Sequence, residues 1–310
     1  MKAKEIKNAG FILMDEAQEM FKCGQVSDGM TFLSLGLKHL RETHTADDWN
    51  HFAQSQFLQH PIKDLIHQDP FTRHSFEKPR QYAGDADLLD FIYGCRPVPP
   101  DTTELGKQIF AYSTNRGAPQ SVRARRDLLT KMLDDLADNP LLSRVLSIAC
   151  GHLREAADSA AVTEGQIKEF IALDQDPLSI NLIRHELAGY NVHPVHGSVR
   201  DLLTQKVKYN DLDFVYAAGL YDYLTQPIAT RLTRVMFDML RSGGRLLVAN
   251  FAPSMRDIAY METFMQWWLI YRNEEELSAV AGEIPESSIA VKRCFEDEHG
   301  NIVFLELIKA

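Results

Sequence analysis

One stretch limits the possible folds more than any other: Arg144–Ile180, RVLSIACGHLREAADSAAVTEGQIKEFIALDQDPLSI. Val145, Leu146 and Ile148 make a short apolar run. Ala149, Cys150 and Gly151 are all small, and a helical stretch follows. Phe170–Leu173 is apolar again and ends in Asp174-Gln175-Asp176. Strand, small-residue turn, helix and acid-tipped strand, in that order, form a βαβ unit. Its turn lets backbone approach a ligand, and its carboxylates stand where a ribose would lie. The expected ligand is a small molecule containing adenosine.

The alternation continues to the end of the chain. Strands are expected at Arg144–Ala149, Glu169–Leu173, Val192–His196, Leu212–Ala217, Arg245–Phe251, Ile289–Phe295 and Ile302–Ile308, with helices between most of them. His299-Gly300-Asn301 is turn chemistry, so the last two strands read as an antiparallel hairpin. The expected fold is α/β: a doubly wound, mostly parallel seven-stranded sheet with a terminal β-hairpin.

Residues 1–140 have a different rhythm and read as a helical cap or lid over a ligand-binding domain of residues 141–310. Met30, Phe32, Leu33, Leu35, Leu37 and Leu40 supply an apolar helix face, and Thr43–Asp48 offers cap residues before Trp49. Pro61 and Pro70 punctuate short helices, and Arg96–Pro100 is a Pro-rich loop. Ser121–Asp138 reads as a charged amphipathic helix stopped by Asn139-Pro140.

Composition excludes several partners. A net charge of −10 over 310 residues gives no counterion-release affinity for nucleic acid. The four cysteines (Cys23, Cys95, Cys150, Cys294) are far apart and form no CxxC or Cys/His spacing. No metal site is therefore expected, and the thiols read as reduced, in a cytoplasmic protein. MKAKEIKNAG lacks the apolar core of a signal peptide, and no run is apolar for ~18 residues, so no membrane span is expected. The expected partner is a small-molecule substrate, with homodimerisation open.

The turn Ala149-Cys-Gly-His-Leu-Arg-Glu155 holds one glycine, not the GxGxxG that brings backbone to a dinucleotide pyrophosphate at two points. Four further motifs follow in order: Asp174 at the end of the second strand, Gly197-Ser198-Val199, Asp213–Gly219, and Leu240-Arg-Ser-Gly-Gly-Arg-Leu-Leu-Val-Ala-Asn250. Together these resemble the class I S-adenosylmethionine-dependent methyltransferases over roughly the last 170 residues. Ser147 stands where that family has the acid of its first motif, Ala149 and Leu153 where it has glycines, and Ser198 where it has an adenine-contacting acid. His74–Ala86 (HSFEKPRQYAGDA), Ser121–Arg126, Ala149–Ala156 and Trp267–Arg272 resemble a bacterial subgroup labelled as making 3-hydroxypalmitic acid methyl ester. In that subgroup Gln81 is a glycine. Relatives of the group include azetidine-2-carboxylate synthases, which cyclise S-adenosylmethionine on its own amino group.

The resemblance implies a Rossmann-like methyltransferase fold with an N-terminal helical cap and S-adenosyl-L-methionine as cofactor. Its cofactor-binding residues would be Ala149, Cys150, Gly151, His152, Glu155, Asp174, Gln175, Asp176, Gly197, Ser198, Val199, Ala218 and Gly219. Arg123 is the candidate for the methionine carboxylate, against a solvated face of the Arg-rich run. Asp174 holds a ribose or caps the next helix, and Asp176 suits the cap ahead of Pro177. Glu155 either favours a helix start or meets the methionine amine. Tyr82, Tyr221 and Tyr271 are candidate walls around a sulfonium, with Trp267, Trp268 and Tyr271 on an expected helix after strand five. Arg272 holds a carboxylate or caps a helix. The expected activity is transfer of a methyl group to a small or fatty hydroxy acid. The alternatives are intramolecular cyclisation with release of methylthioadenosine, and a non-catalytic cofactor sensor.

Overall fold

The computed structural model describes residues 2–138 and 143–310. The stop expected at Asn139-Pro140 and the domain boundary at 140/141 lie outside the described residues. The chain forms two compact units, 1–120 with 255–268, and 121–254 with 269–310. The division thus falls inside helix Gly117–Asp134 rather than after it, and a segment following the fifth strand groups with the N-terminal helices.

The second unit is built on seven strands: β1 Arg144–Ile148, β2 Glu169–Asp174, β3 Val192–His196, β4 Leu212–Ala217, β5 Leu240–Phe251, β6 Ile289–Glu296 and β7 Ile302–Lys309. Their order across the sheet is β3-β2-β1-β4-β5-β7-β6. The first five run parallel, and β7 lies antiparallel between β5 and β6. β1, β2 and β4 are buried almost throughout, which is why they are near-continuous apolar runs. β3 is an edge, so Pro194 costs no ladder bond to an outer neighbour. The other edge, β6, carries the exposed charges of Lys292 and Arg293, which discourage pairing with another chain. β5 starts five residues before its expected first residue, Arg245. Gly243 there has φ +75°, and a Cβ on Gly244 would lie 2.7 Å from the Leu212 carbonyl oxygen, so the double glycine is a close backbone approach to β4.

Leu146, Ile148, Val215, Leu246, Val248 and Leu305 belong to one core cluster with Leu232, Met236 and Phe237 of helix Gln226–Asp238. The strand order reverses between β1 and β4. In a doubly wound sheet the ligand crevice lies outside the carboxyl ends of the strands at that point.

The first unit is helical, with its longest elements at Lys2–Lys22, Val26–Thr43 and Glu104–Thr114. Thr45 caps Ala46–His51 by accepting from Asp48 N, as its place in the Thr43–Asp48 stretch suggests. Helix Ile258–Phe264 belongs here. Its buried Glu262 accepts from Arg41 Nε (2.7 Å) and Trp49 Nε1 (2.7 Å), a polar anchor that leaves no buried charge alone. The expected helix carrying Trp267, Trp268 and Tyr271 is absent: regular structure ends at Phe264 and resumes at Glu274. Gln266, at φ +49°, turns the chain, and its amide donates to three carbonyls, those of Ala53, Glu262 and Thr263. Among the described residues no helix is long and apolar enough to cross a membrane.

Candidate functional site

The carboxyl end of β1 opens into the turn at Ala149–Leu153. Three of its residues take left-handed backbone: Ala149 at φ +54°, Gly151 at +54° and Leu153 at +53°. Left-handed φ favours glycine, because a Cβ crowds the neighbouring carbonyl. At Ala149 and Leu153 the turn thus carries side chains on backbone that glycine adopts more easily. Three hydrogen bonds hold it: Cys150 N to the Leu173 carbonyl (3.2 Å), Gly151 N to Asp174 Oδ2 (2.8 Å) and Leu153 N to the Cys150 carbonyl (3.0 Å). Positive φ at Ala149 and Leu153 is backbone strain, held by these hydrogen bonds.

Asp174 is the hub. Its Oδ2 takes Gly151 N, its Oδ1 takes Asp176 N (2.8 Å), and its carbonyl takes Gly197 N (2.9 Å). One residue thereby ties the ends of β1, β2 and β3 together. Burial pushes its carboxyl pKa up, while the two backbone donors and His152 oppose that shift. Each carboxylate oxygen keeps a second lone pair, which suits a vicinal diol. Asp174 is not the cap of the next helix. Asp176 is, accepting from Leu178 N (2.9 Å). Gln175 is exposed, and its carbonyl faces the His196 ring at 3.0 Å.

At the end of β3, Ser198 caps Val199–Leu203 in a capping box with Asp201. Its hydroxyl donates to Asp201 Oδ2 at 2.7 Å, leaving oxygen lone pairs but no free proton. Val199 packs on the core cluster, and Gly197 is in ordinary contact with Leu173.

At the end of β4 the guanidinium that packs inward is Arg125, while Arg123 is partly exposed. In helix Gly117–Asp134, Ser121, Val122, Arg125 and Leu129 are buried, and Arg123 and Arg126 are partly exposed. Arg125 is 6% exposed and donates from Nη1 to the Ala218 carbonyl at 2.5 Å. Arg126 turns to Asp127 and Asp158. The helical repeat that puts residues 121, 125 and 129 on one face was the available signal, and it selects Arg125 over Arg123. Gly219 sits beside this guanidinium: only Arg125 Nη2, at 4.0 Å, comes within 4 Å of a Cβ built there.

Glu155 accepts from Tyr216 Oη at 2.7 Å. Burial raises the Glu155 pKa, while Tyr216, Arg125 and Arg126 oppose it. Tyr216 also engages Ser147, whose position has an acid in the resembling family. Burial also pushes the Cys150 thiol well up, so it is inert, and His152 is buried within the turn.

Two expected aromatic and basic roles are corrected. Tyr221 is not a loop aromatic facing a cation. It is fully buried in the core cluster, and its hydroxyl pairs with Thr233 Oγ1 at 2.7 Å. Arg272 is a clamp, not a free cation: it donates to the carbonyls of Tyr221 (2.8 Å) and Leu224 (2.6 Å), and to Asn250 Oδ1 (2.6 Å) and Gln226 Oε1 (2.9 Å). Asn250 in turn donates to Asp222 Oδ1 (3.0 Å), which also takes Phe251 N (2.7 Å). Burial pushes the Asp222 carboxyl up to about 6. Tyr271 is half-buried in the irregular segment before Glu274.

Tyr82 belongs to the helical unit, in the turn between Pro70–Glu77 and Ala86–Tyr93. Its neighbour Gln81 has φ +73°, a left-handed backbone that favours glycine. In the same unit, ligand atoms of His74, Asp85 and Asp87 lie within 4.8 Å of one another. Asp85 already caps a helix through Leu88 N and pairs with His74, and Asp87 pairs with Arg80. These three groups are thus engaged with helix backbone, with one another and with Arg80.

No protein-family model matches the chain, and no curated protein matches it. Among solved structures it is similar to a candidate exported protein from Bordetella parapertussis, with TM-score 0.57 and 16% identity over 73% of this chain and 79% of that one. It is also similar to a candidate methyltransferase from Thermobifida fusca YX, with TM-score 0.51 and 16% identity over 72% of this chain and 94% of that one. The chain has a Rossmann-like methyltransferase fold with an N-terminal helical region.

Proposed function

We propose that this chain is an S-adenosylmethionine-dependent methyltransferase whose acceptor is the carboxylate or hydroxyl of a small or fatty hydroxy acid. The observation that carries the reading is the Asp174 hub: a buried carboxylate with open lone pairs, bonded to a left-handed turn at the switch point of the sheet. Ribose hydroxyls would donate to Asp174, the adenine amino group to Ser198 Oγ, and the amino-acid end would lie along the Ala149–Leu153 turn.

The cofactor supplies an activated sulfonium, so the protein's task is alignment and exclusion of water rather than activation. An acceptor carboxylate attacks the methyl carbon, the carbon–sulfur bond breaks, and sulfur keeps the electron pair as S-adenosylhomocysteine. A carboxylate is a nucleophile that needs no base.

The test is a product assay. Purified protein is incubated with S-adenosylmethionine alone and then with a panel of 3-hydroxy acids of increasing chain length. S-Adenosylhomocysteine that forms only with an acceptor supports methyl transfer. Methylthioadenosine formed without an acceptor replaces this reading with intramolecular cyclisation. Binding without either product replaces it with a sensor.

A further inference from the structure

Asp222 is a buried acid to which the methyl-transfer reading gives no role. It lies in the 3-10 turn Tyr221–Tyr223, just past the carboxyl end of β4, where the strand order reverses and ligands bind. Both of its side-chain hydrogen bonds fall on one oxygen: Oδ1 takes Asn250 Nδ2 (3.0 Å) and Phe251 N (2.7 Å). Among the described residues no other residue donates to Oδ2. The backbone fixes the turn on both sides, with Ile270 N donating to the Asp222 carbonyl (2.8 Å) and Arg272 Nη1 to that of Tyr221 (2.8 Å). Packing does not explain the charge. An asparagine would accept the same two bonds on its own Oδ1 without burying a carboxylate. Nor is the acid a counter-ion. Arg125 and Arg272 both act on it electrostatically, Arg125 the more strongly, but among the described residues neither forms an ion pair with it. Burial pushes its carboxyl up to about 6, against the pull of Phe251 N and the two guanidinium groups. The acid is thus ionised at neutral pH yet basic enough to take a proton, the balance a general base needs.

We infer that Asp222 is a catalytic general base whose Oδ2 takes the proton of an acceptor hydroxyl as the hydroxyl oxygen attacks the methyl carbon. The oxygen–carbon bond forms, the carbon–sulfur bond breaks, and sulfur keeps the electron pair. The proton passes from Asp222 to solvent, and the product is a methyl ether. The inference rests on the methyl-transfer reading and chooses between its two acceptor groups, because a carboxylate needs no base and a hydroxyl does.

The test uses the full chain, S-adenosylmethionine and three fatty probes. 3-Hydroxydecanoic acid offers both groups, its methyl ester only the hydroxyl, and decanoic acid only the carboxylate. S-Adenosylhomocysteine is expected from the first two and not from the third. With the hydroxy ester, kcat is expected to rise with pH through about 6 and then level off, as the base ionises. Asp222→Asn, which can keep both Oδ1 bonds, is expected to lower that kcat about 10²- to 10⁴-fold and to flatten the pH profile. Its affinity for S-adenosylhomocysteine, read by calorimetry, is expected to stay unchanged. Turnover of decanoic acid without turnover of the hydroxy ester overturns the base while leaving methyl transfer standing, and this arm does not depend on a variant folding. An Asp222→Asn enzyme as active as the wild type, with the same pH profile, also overturns it. So does an equal loss of kcat and of S-adenosylhomocysteine affinity, because that is the mark of a purely structural acid. If none of the three probes yields S-adenosylhomocysteine, the methyl-transfer reading falls and the base falls with it.

Discussion

The two ends of the parallel sheet use charge in opposite ways. At the amino ends, charges are closed on themselves. Asp213 accepts from Arg144 N (2.8 Å) and Arg241 Nε (2.6 Å), Arg144 pairs with Glu169 (2.7 Å), and Lys309 reaches the Leu240 carbonyl (2.6 Å). At the carboxyl ends, Asp174, Glu155 and Arg125 are held by neutral donors and acceptors and keep valences open. The carboxyl end also carries Ala149 and Leu153 at positive φ. One end spends its polar groups on stability. The other stores desolvation and backbone strain that a ligand can relieve.

The sharpest challenge to this contrast comes from Arg272, which lies at the carboxyl end but behaves like the other end. Arg272→Ala would strand two carbonyls and Asn250 in the interior, with an expected loss of about 3–5 kcal/mol in urea denaturation. If stability is unchanged and only catalysis suffers, Arg272 is a site residue after all. A pH series is next in size. Asp222 has its pKa raised to about 6 against an ordinary 3.8, so the folded state binds the proton more tightly than the unfolded chain. Its contribution is full below about pH 4 and is lost as pH rises through about 6, amounting to at most about 3 kcal/mol. Asp222→Asn is expected to flatten that slope, and an unaltered slope would assign it to other groups.

Asp174→Ala removes a charged acceptor from the proposed ribose site. Adenosyl ligands are expected to bind about 10- to 100-fold more weakly in calorimetry, corresponding to roughly 1.5–3 kcal/mol. Asp213→Ala supplies the matching measurement at the other end: a stability loss of about 1–2 kcal/mol with ligand affinity unchanged. An affinity change there would dissolve the distinction between the ends. The smallest effect is expected from Ala149→Gly, which relieves left-handed strain in the folded state but adds freedom to the unfolded chain. A net stabilisation below about 1 kcal/mol is expected by thermal melting, and a clear destabilisation would show that Ala149 is not strained.

Much of the fold was legible because its signals are local. Apolar runs flanked by turn residues put β3 and β4 at their observed ends, and His299-Gly300-Asn301 marked the β6–β7 hairpin. The acid at the tip of β2 was legible for the same reason, as was the Asp176 cap ahead of a proline. Reading failed where a residue's role depends on its angle around an element or on an element that never forms. Arg123 and Arg125 have the same chemistry, and only the packing of their helix separates them. Tyr221 lies just after a strand, as a loop residue would, yet a 3-10 turn folds its ring into the core. Trp267 and Trp268 have helix-compatible spacing, but Gln266 turns the chain first.

By itself the sequence determined the strand–helix alternation, the order of the motifs and the carboxylate at the end of β2, because hydrophobic period and turn chemistry act over a few residues. The tertiary structure decided which charges stay open. It set Glu155 and Ser147 on the Tyr216 hydroxyl, closed Arg272 on carbonyls, and buried Arg125 against the Ala218 carbonyl. Those outcomes come from burial and from distances between residues far apart in the chain, which no local pattern encodes.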